Sequence, residues 1–204
     1  MRILVMLLAT LALAQCATPE DRRFHVGQSP RALVLIGVAE AAHNTSPEYT
    51  MLWRRLEPDG RFAEYDDGEI IEVTTHSRNS VRVRGMPGEF FIAEVEPGTY
   101  ALDSIFALIR DQRVNYSANG VIQGPERPAF DVAAGEAVYL GIWQADLDDV
   151  TAVVRPWRLE RRDAEAVSRE AGTIVGAVRM RQTQTRLAPC QPRQLNTRSQ
   201  RQIC

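Results

Sequence analysis

Lysine is absent from the 204 residues, and all 24 basic residues are arginine. The bias runs through every region, so it reads as the codon usage of a GC-rich genome rather than as a binding device. Cysteine is scarce, at three, which excludes a disulfide-stapled miniprotein. The three histidines, His25, His43 and His76, are widely separated and make no zinc cluster. Net charge is nearly absent, at −2, so the chain as a whole is not an electrostatic binder of nucleic acid. Beyond residue 16 no apolar run approaches the roughly 20 residues that span a bilayer. Also missing are Gly-x-Ser-x-Gly, His-Glu-x-x-His, Cys-x-x-Cys, a phosphate loop and Gly-x-Gly-x-x-Gly. The chain therefore reads as a non-enzyme without metal or cofactor. The alternative is a hydrolase with a site assembled from distant residues, for instance His43 or His76 beside an acidic loop.

The composition, 45 % hydrophobic and 25 % charged, suits one globular domain with accessory segments. Residues 1 to 16 have the form of a secretory signal. Arg2 precedes an apolar run from Ile3 to Ala14 in which Thr10 is the one polar member. Ala12-Leu13-Ala14 is a small-x-small cleavage site that would release a soluble protein starting at Gln15. Leu13-Ala14-Gln15-Cys16 resembles instead the lipobox of bacterial lipoproteins, in which the cysteine becomes the lipidated first residue. Gln15 stands where that motif takes Gly, Ala or Ser. With Cys16 carrying lipid, Cys190 and Cys204 are left to form a disulfide in an oxidising compartment. With cleavage before Gln15, an odd cysteine remains. The lipoprotein reading implies a membrane partner through the N-terminal lipid. Ala17 after the cysteine implies the outer membrane, facing the periplasm, with a soluble periplasmic protein as the alternative.

Residues 17 to 30 are polar, carry Pro19 and Pro30, and read as a tether. From 31 to 172 short apolar runs alternate with turn signals. Residues 31–38, 49–56, 61–65, 70–75, 81–83, 89–95, 101–109, 129–132, 137–143 and 151–155 read as strands. Glu57-Pro58-Asp59-Gly60 predicts a hairpin turn, and Asn119-Gly120 a second tight turn. No helical pattern separates the strands, so the fold class is all-β, an antiparallel β-sandwich, with a small barrel as the alternative. One short helix is predicted from Asp163, as its cap, to Ala171, with Gly172 ending it.

Residues 17 to 170 hold 26 acids against 17 arginines, a net of −9, whereas 171 to 204 hold six arginines and no acid. Residues 173 to 204 therefore read as a flexible basic tail, and deletion of 182 to 204 is expected to leave the fold intact. Such a tail offers cations to anionic lipids, lipopolysaccharide or cell-wall polymer. It reads equally as an end without a specific role.

Glu40-x-x-His43 has the spacing of a carboxylate metal pair but no second copy, and reads as a loop. Asp66-Asp67-Gly68-Glu69 and Asp146-Leu147-Asp148-Asp149 read as solvated acidic turns rather than calcium loops. Trp53 and Trp143 sit in apolar strands and are expected in the core. Trp157, between Arg155, Pro156 and Arg158, is the candidate ligand-binding aromatic, with an arginine stacked on it.

Two stretches, Glu96-Pro97-Gly98-Thr99-Tyr100 and Phe130-Asp131-Val132-Ala133-Ala134-Gly135-Glu136-Ala137-Val138-Tyr139-Leu140-Gly141, carry a resemblance. The chain resembles a loose group of bacterial lipoproteins and periplasmic proteins of unknown function that share these patterns. The likeness covers residues 88 to 143. It implies an antiparallel sandwich, transthyretin-like or carboxypeptidase-regulatory-like, and no catalytic residues, because the shared positions are turn and core residues.

Overall fold

The computed structural model describes residues 22–42, 47–65, 69–110, 115–121, 124–195 and 201–204. The signal segment, Cys16, residues 17–21 of the tether, His43 and Asp66 to Gly68 lie outside the described residues.

The strands run in chain order as β1 (Phe24–His25), β2 (Ala32–Glu40), β3 (Glu48–Arg55), β4 (Ile70–Thr74), β5 (Glu89–Val95) and β6 (Gly98–Arg110). They continue as β7 (Asn115–Val121), β8 (Glu126–Val132), β9 (Ala137–Asp148) and β10 (Thr151–Arg158). Helix α1 (Arg161–Ala171) follows, then β11 (Ile174–Val175), β12 (Arg179–Met180), β13 (Gln184–Leu187), β14 (Arg193–Gln194) and β15 (Gln202–Ile203). One sheet has the order β10-β9-β2-β5, with β12 beside β9; the other is β13-β8-β6-β3-β4, with β7 beside β6. Among the described residues the fold is all-β and sandwich-like, with a single short helix. Most pairs are antiparallel, but β2 and β12 each run parallel to β9, and β1 runs parallel to β11.

The alternation of strand side chains dictates the layers. Val34, Ile36 and Val38 of β2 face Met51 and Trp53 of β3 and Leu102 of β6 across the interior. Trp53 meets Phe130 edge-on at 5.5 Å and Trp143 at 5.2 Å, and both tryptophans are buried. Such aromatic pairs contribute about 0.5–1.5 kcal/mol each beyond the area they bury. The other face of β2, with Leu33, Leu35 and Ala39, is also buried, under Ala164 and Val167 of α1.

Several local expectations change. Glu57 to Gly60 does turn, with the Gly60 N–H donating to Glu57 O at 2.9 Å. The return segment 61–65 makes a single bridge, Leu56 to Phe62, and β3 takes β4 and β6 as partners instead. Residues 81–83 likewise make one bridge, Val81 to Phe90. Asn119-Gly120 is not a turn: both residues lie inside β7, paired with Phe106 and Ile105. The glycine is needed there because a Cβ would sit 1.8 Å from the Ala152 carbonyl oxygen, where β7 crosses β10. Asp163 does not cap α1. The N-cap is Glu160 without a side-chain cap bond, and Asp163 is buried, accepting from Arg158 Nε at 2.7 Å. Gly172 ends the helix as expected, in the left-handed region with φ +65°.

The largest change concerns the basic tail, which does not hang free. β11 pairs with β1, β12 with β9 and β13 with β8. Ala188 packs on Leu56, Ala101 and Ala129, and Ile203 packs on Leu52 and Phe106. Cys190 and Cys204 are joined by a disulfide. Two physical causes hold the segment down. The outer face of the β3–β6–β8 sheet is apolar and must be covered. The segment's arginines also find carboxylates on the acidic domain: Arg181 with Glu136, Arg186 with Asp131, and Arg193 with Glu64 at 3.6 Å.

Deleting residues 188–204 is therefore expected to lower the melting temperature by on the order of 10 °C, because it uncovers the apolar side chains under Ala188 and Ile203 and removes the Cys204 amide from Asp103. Thermal denaturation of the full and shortened chains checks this; equal melting temperatures would contradict the packing.

Candidate functional site

Of the three ligand candidates at the end of β10, the structure brings two together. β9 carries a bulge at Gly141, with φ +83°, where a Cβ would lie 2.4 Å from the Arg158 carbonyl oxygen. Opposite it the β10 register slips, because Pro156 pairs with Trp143 and Arg158 with Ile142, which leaves Trp157 as the extra residue. A bulge re-aims its side chain, and Trp157 is turned outward, 48 % exposed. Trp157 and Arg158 line a cavity of about 280 Å³ with Leu140, Leu159, Gln182 and Thr183. The Arg158 guanidinium lies 5.9 Å from the Trp157 ring centroid while donating to Asp163. Arg155 does not join them. It turns to Gln144 Oε1, at 2.8 and 3.0 Å, and to Asp146 at 3.7 Å. The notch thus has an exposed indole and a polar rim, and its cation is already paired. Below it, burial first and then the Asp163 charge push the Tyr139 hydroxyl well above its ordinary range.

A second constellation, on the outer face of the other sheet, was not foreseen. Arg54, Asp103 and Arg127 are all buried there. Asp103 is the extra residue of a bulge in β6, since Leu52 pairs with Ser104 and Trp53 with Leu102. Its Oδ2 accepts from Arg54 Nη1 at 2.6 Å, and its Oδ1 accepts the Cys204 backbone N–H at 2.9 Å. Arg54 also donates to the Ala63 carbonyl, and its guanidinium lies 5.2 Å from the Phe62 ring centroid. Arg127 Nη2 lies 3.6 Å from the Cys204 sulfur. Burial lowers the Arg127 pKa and Asp103 opposes that shift. The sequence held one signal for this cluster: an aspartate in the middle of the apolar run Ala101 to Ile105. The disulfide-closed segment lies over the group, so the cluster is structural rather than open to a ligand.

The histidine readings resolve unevenly. His76 lies in a loop, with φ +60°, and its Nε2 is 2.9 Å from Glu40 Oε1. That loop is organised by Glu89. The carboxylate accepts the backbone N–H groups of His76 and Ser77, the Ser80 hydroxyl at 2.6 Å, and Arg82. Burial raises the Glu89 pKa, but the bonds from Ser80, Arg82 and His76 outweigh it, so the group sits below the usual carboxylate range. Of the acidic turns, Glu69 pairs with Arg31 at 2.6 Å and Asp146 accepts the Leu147 N–H at 2.8 Å. Among the described residues no group of three or more His, Cys, Asp or Glu is arranged to hold a metal ion.

No family model, no curated protein and no solved structure matches the chain.

Replacing Asp103 by asparagine leaves two buried guanidinium groups facing a neutral amide. The expected loss is about 3–5 kcal/mol, the magnitude for breaking a buried ion pair, and chemical denaturation measures it. Glu89 gives a pH signature. Its folded pKa is depressed, so its stabilisation is complete above the unfolded value of about 4.3 and disappears as pH falls through the folded value. The melting-temperature gap between the native chain and Glu89→Gln should therefore be widest near neutrality and close below about pH 4; a pH-independent gap would contradict the assignment.

Proposed function

We propose that the protein is exported and anchored in the bacterial cell envelope by lipid on Cys16, and that it serves there as a non-catalytic structural or interaction module. The observation that carries this reading is the Cys190–Cys204 disulfide. Disulfides persist in oxidising compartments. With these two cysteines joined, the third is Cys16, at the position that the lipobox-like Leu13-Ala14-Gln15-Cys16 assigns to acylation. The module reading draws support from how the charged groups are used. Asp103, Glu89 and Asp163 are each engaged in holding strands, loop or helix in place. A location at the outer membrane, facing the periplasm, extends the same reading.

A second reading, a binding module for an envelope glycan, is favoured by one observation: Trp157 presents an exposed ring beside a polar-rimmed cavity. Sugar rings stack their C–H faces on such indoles, and Gln182 and Thr183 supply hydroxyl partners.

Intact mass of the protein from membrane and soluble fractions of its own host, beside a Cys16→Ala variant, tests the anchor. A diacyl or triacyl increment that vanishes in the variant is expected. A mature chain beginning at Gln15 in the soluble fraction would overturn it.

A further inference from the structure

The N-terminal segment enters the fold beside a groove. Phe24 N donates to Thr173 O at 2.8 Å and Val26 N to Val175 O at 2.9 Å, so β1 is laid along β11. On its other side β11, with α1 and residues 176–178, bounds an open cavity of about 480 Å³. Its floor is apolar, from Ala164, Ile174 and Val178, and its rim carries Arg161, Glu165, Ser168 and Arg169. Arg161 and Arg169 are exposed. Among the described residues neither has a carboxylate within ion-pair distance, unlike Arg158 and Arg162 on the same side. The two lie eight residues apart on the helix, about 12 Å along its axis, with Glu165 midway between them on the same face, so the rim carries two cations and one carboxylate and an anion held by both arginines must sit beyond that carboxylate. Arg22 and Arg23 precede β1 on the entering strand, and Arg179 and the 41 %-exposed Met180 follow the groove wall. The groove therefore joins the exposed Arg161 and Arg169 to apolar surface.

Chain length then bounds how far this face can stand from an anchored Cys16. From Cys16 to Phe24 the extended chain spans at most about 28 Å. A lipid on Cys16 keeps the β1–β11–α1 face within that distance of the bilayer.

We infer that the α1–β11 groove is a membrane-facing site that takes the phosphate headgroup of an anionic lipid between Arg161 and Arg169, with the adjoining carbons on Ile174 and Val178. This rests on the lipid-anchor reading for its geometry, and on the groove itself for its chemistry. The lipid holds the protein to the membrane. The groove fixes which face it turns to the surface.

Two measurements separate the parts. Intact mass decides acylation. Whichever mature full-length chain results is mixed with vesicles of phosphatidylcholine alone or of phosphatidylcholine with phosphatidylglycerol, and hydrogen exchange is followed across residues 161–178. The expected result is slower exchange there with phosphatidylglycerol only, weakened by added salt. For the unacylated chain, Arg161→Gln with Arg169→Gln should weaken phosphatidylglycerol-vesicle binding by about 30-fold, at roughly 1 kcal/mol per arginine, with an unchanged melting temperature because both side chains are exposed. Equal exchange in the two vesicle types, or binding unchanged in the double variant, would overturn the site even where acylation is found. An unacylated chain that still shows lipid-dependent protection of 161–178 would retain the site and overturn the anchor alone.

Discussion

The central strands of this fold are apolar on both faces, and that constraint organises the rest. β2 buries Val34, Ile36 and Val38 against the facing sheet and Leu33, Leu35 and Ala39 on its back. β3 and β6 do the same with Leu52, Ala101 and Phe106 behind the main core. Two sheets packed together cover only their inner faces. Each outer face needs its own cover, and each gets one from the C-terminal third of the chain. α1 lies behind β2 and β9, and the disulfide-closed segment lies behind β3, β6 and β8. The protein is thus four layers deep, and its last layer is made from the part of the chain poorest in apolar residues.

That last layer holds because polarity substitutes for apolar area. Ala188 and Ile203 supply little burial, but a domain carrying excess acid faces a segment carrying only arginine. At the centre the Asp103 carboxylate takes both the Arg54 guanidinium and the Cys204 amide, tying the segment's end to β6. Arginine suits this position better than lysine would. Its planar group donates to Asp103 and to the Ala63 carbonyl while its face lies near the ring of Phe62. The disulfide then shortens the free chain that must be ordered.

The same economy shapes what the protein can offer a partner. Most acids are engaged internally, so surface chemistry is left to a few places where a cation or an aromatic ring has no intramolecular use. The bulge pair at Gly141 and Trp157 is one, and the α1–β11 groove is another. The first interrupts the β9–β10 ladder at a bulge, and the second lies in the chain that follows β10.

The layer-forming elements are legible in local patterns of the chain. The unbroken run Ala32 to Val38 needs burial on both sides in any fold it joins, and Pro58-Asp59-Gly60 and Gly172 act through local dihedral preferences. The core placement of Trp53 and Trp143 followed from their apolar neighbours on the strand. Tertiary structure decided what depends on distant pairing. Asn119-Gly120 has turn chemistry, yet it lies in a strand because β7 must cross the Ala152 carbonyl closely. Asp163 has cap chemistry, yet it is drawn to Arg158. The tail looked free because its own residues bury little; it is ordered because β3, β6 and β8 together leave apolar side chains and the carboxylates of Asp103 and Asp131 for it to cover, with Glu64 and Glu136 nearby. The buried Arg54–Asp103–Arg127 cluster was illegible for the same reason. Its members are 49 residues apart in one case and 24 in the other, and no local rule reports that a bulge will point one carboxylate at two guanidinium groups.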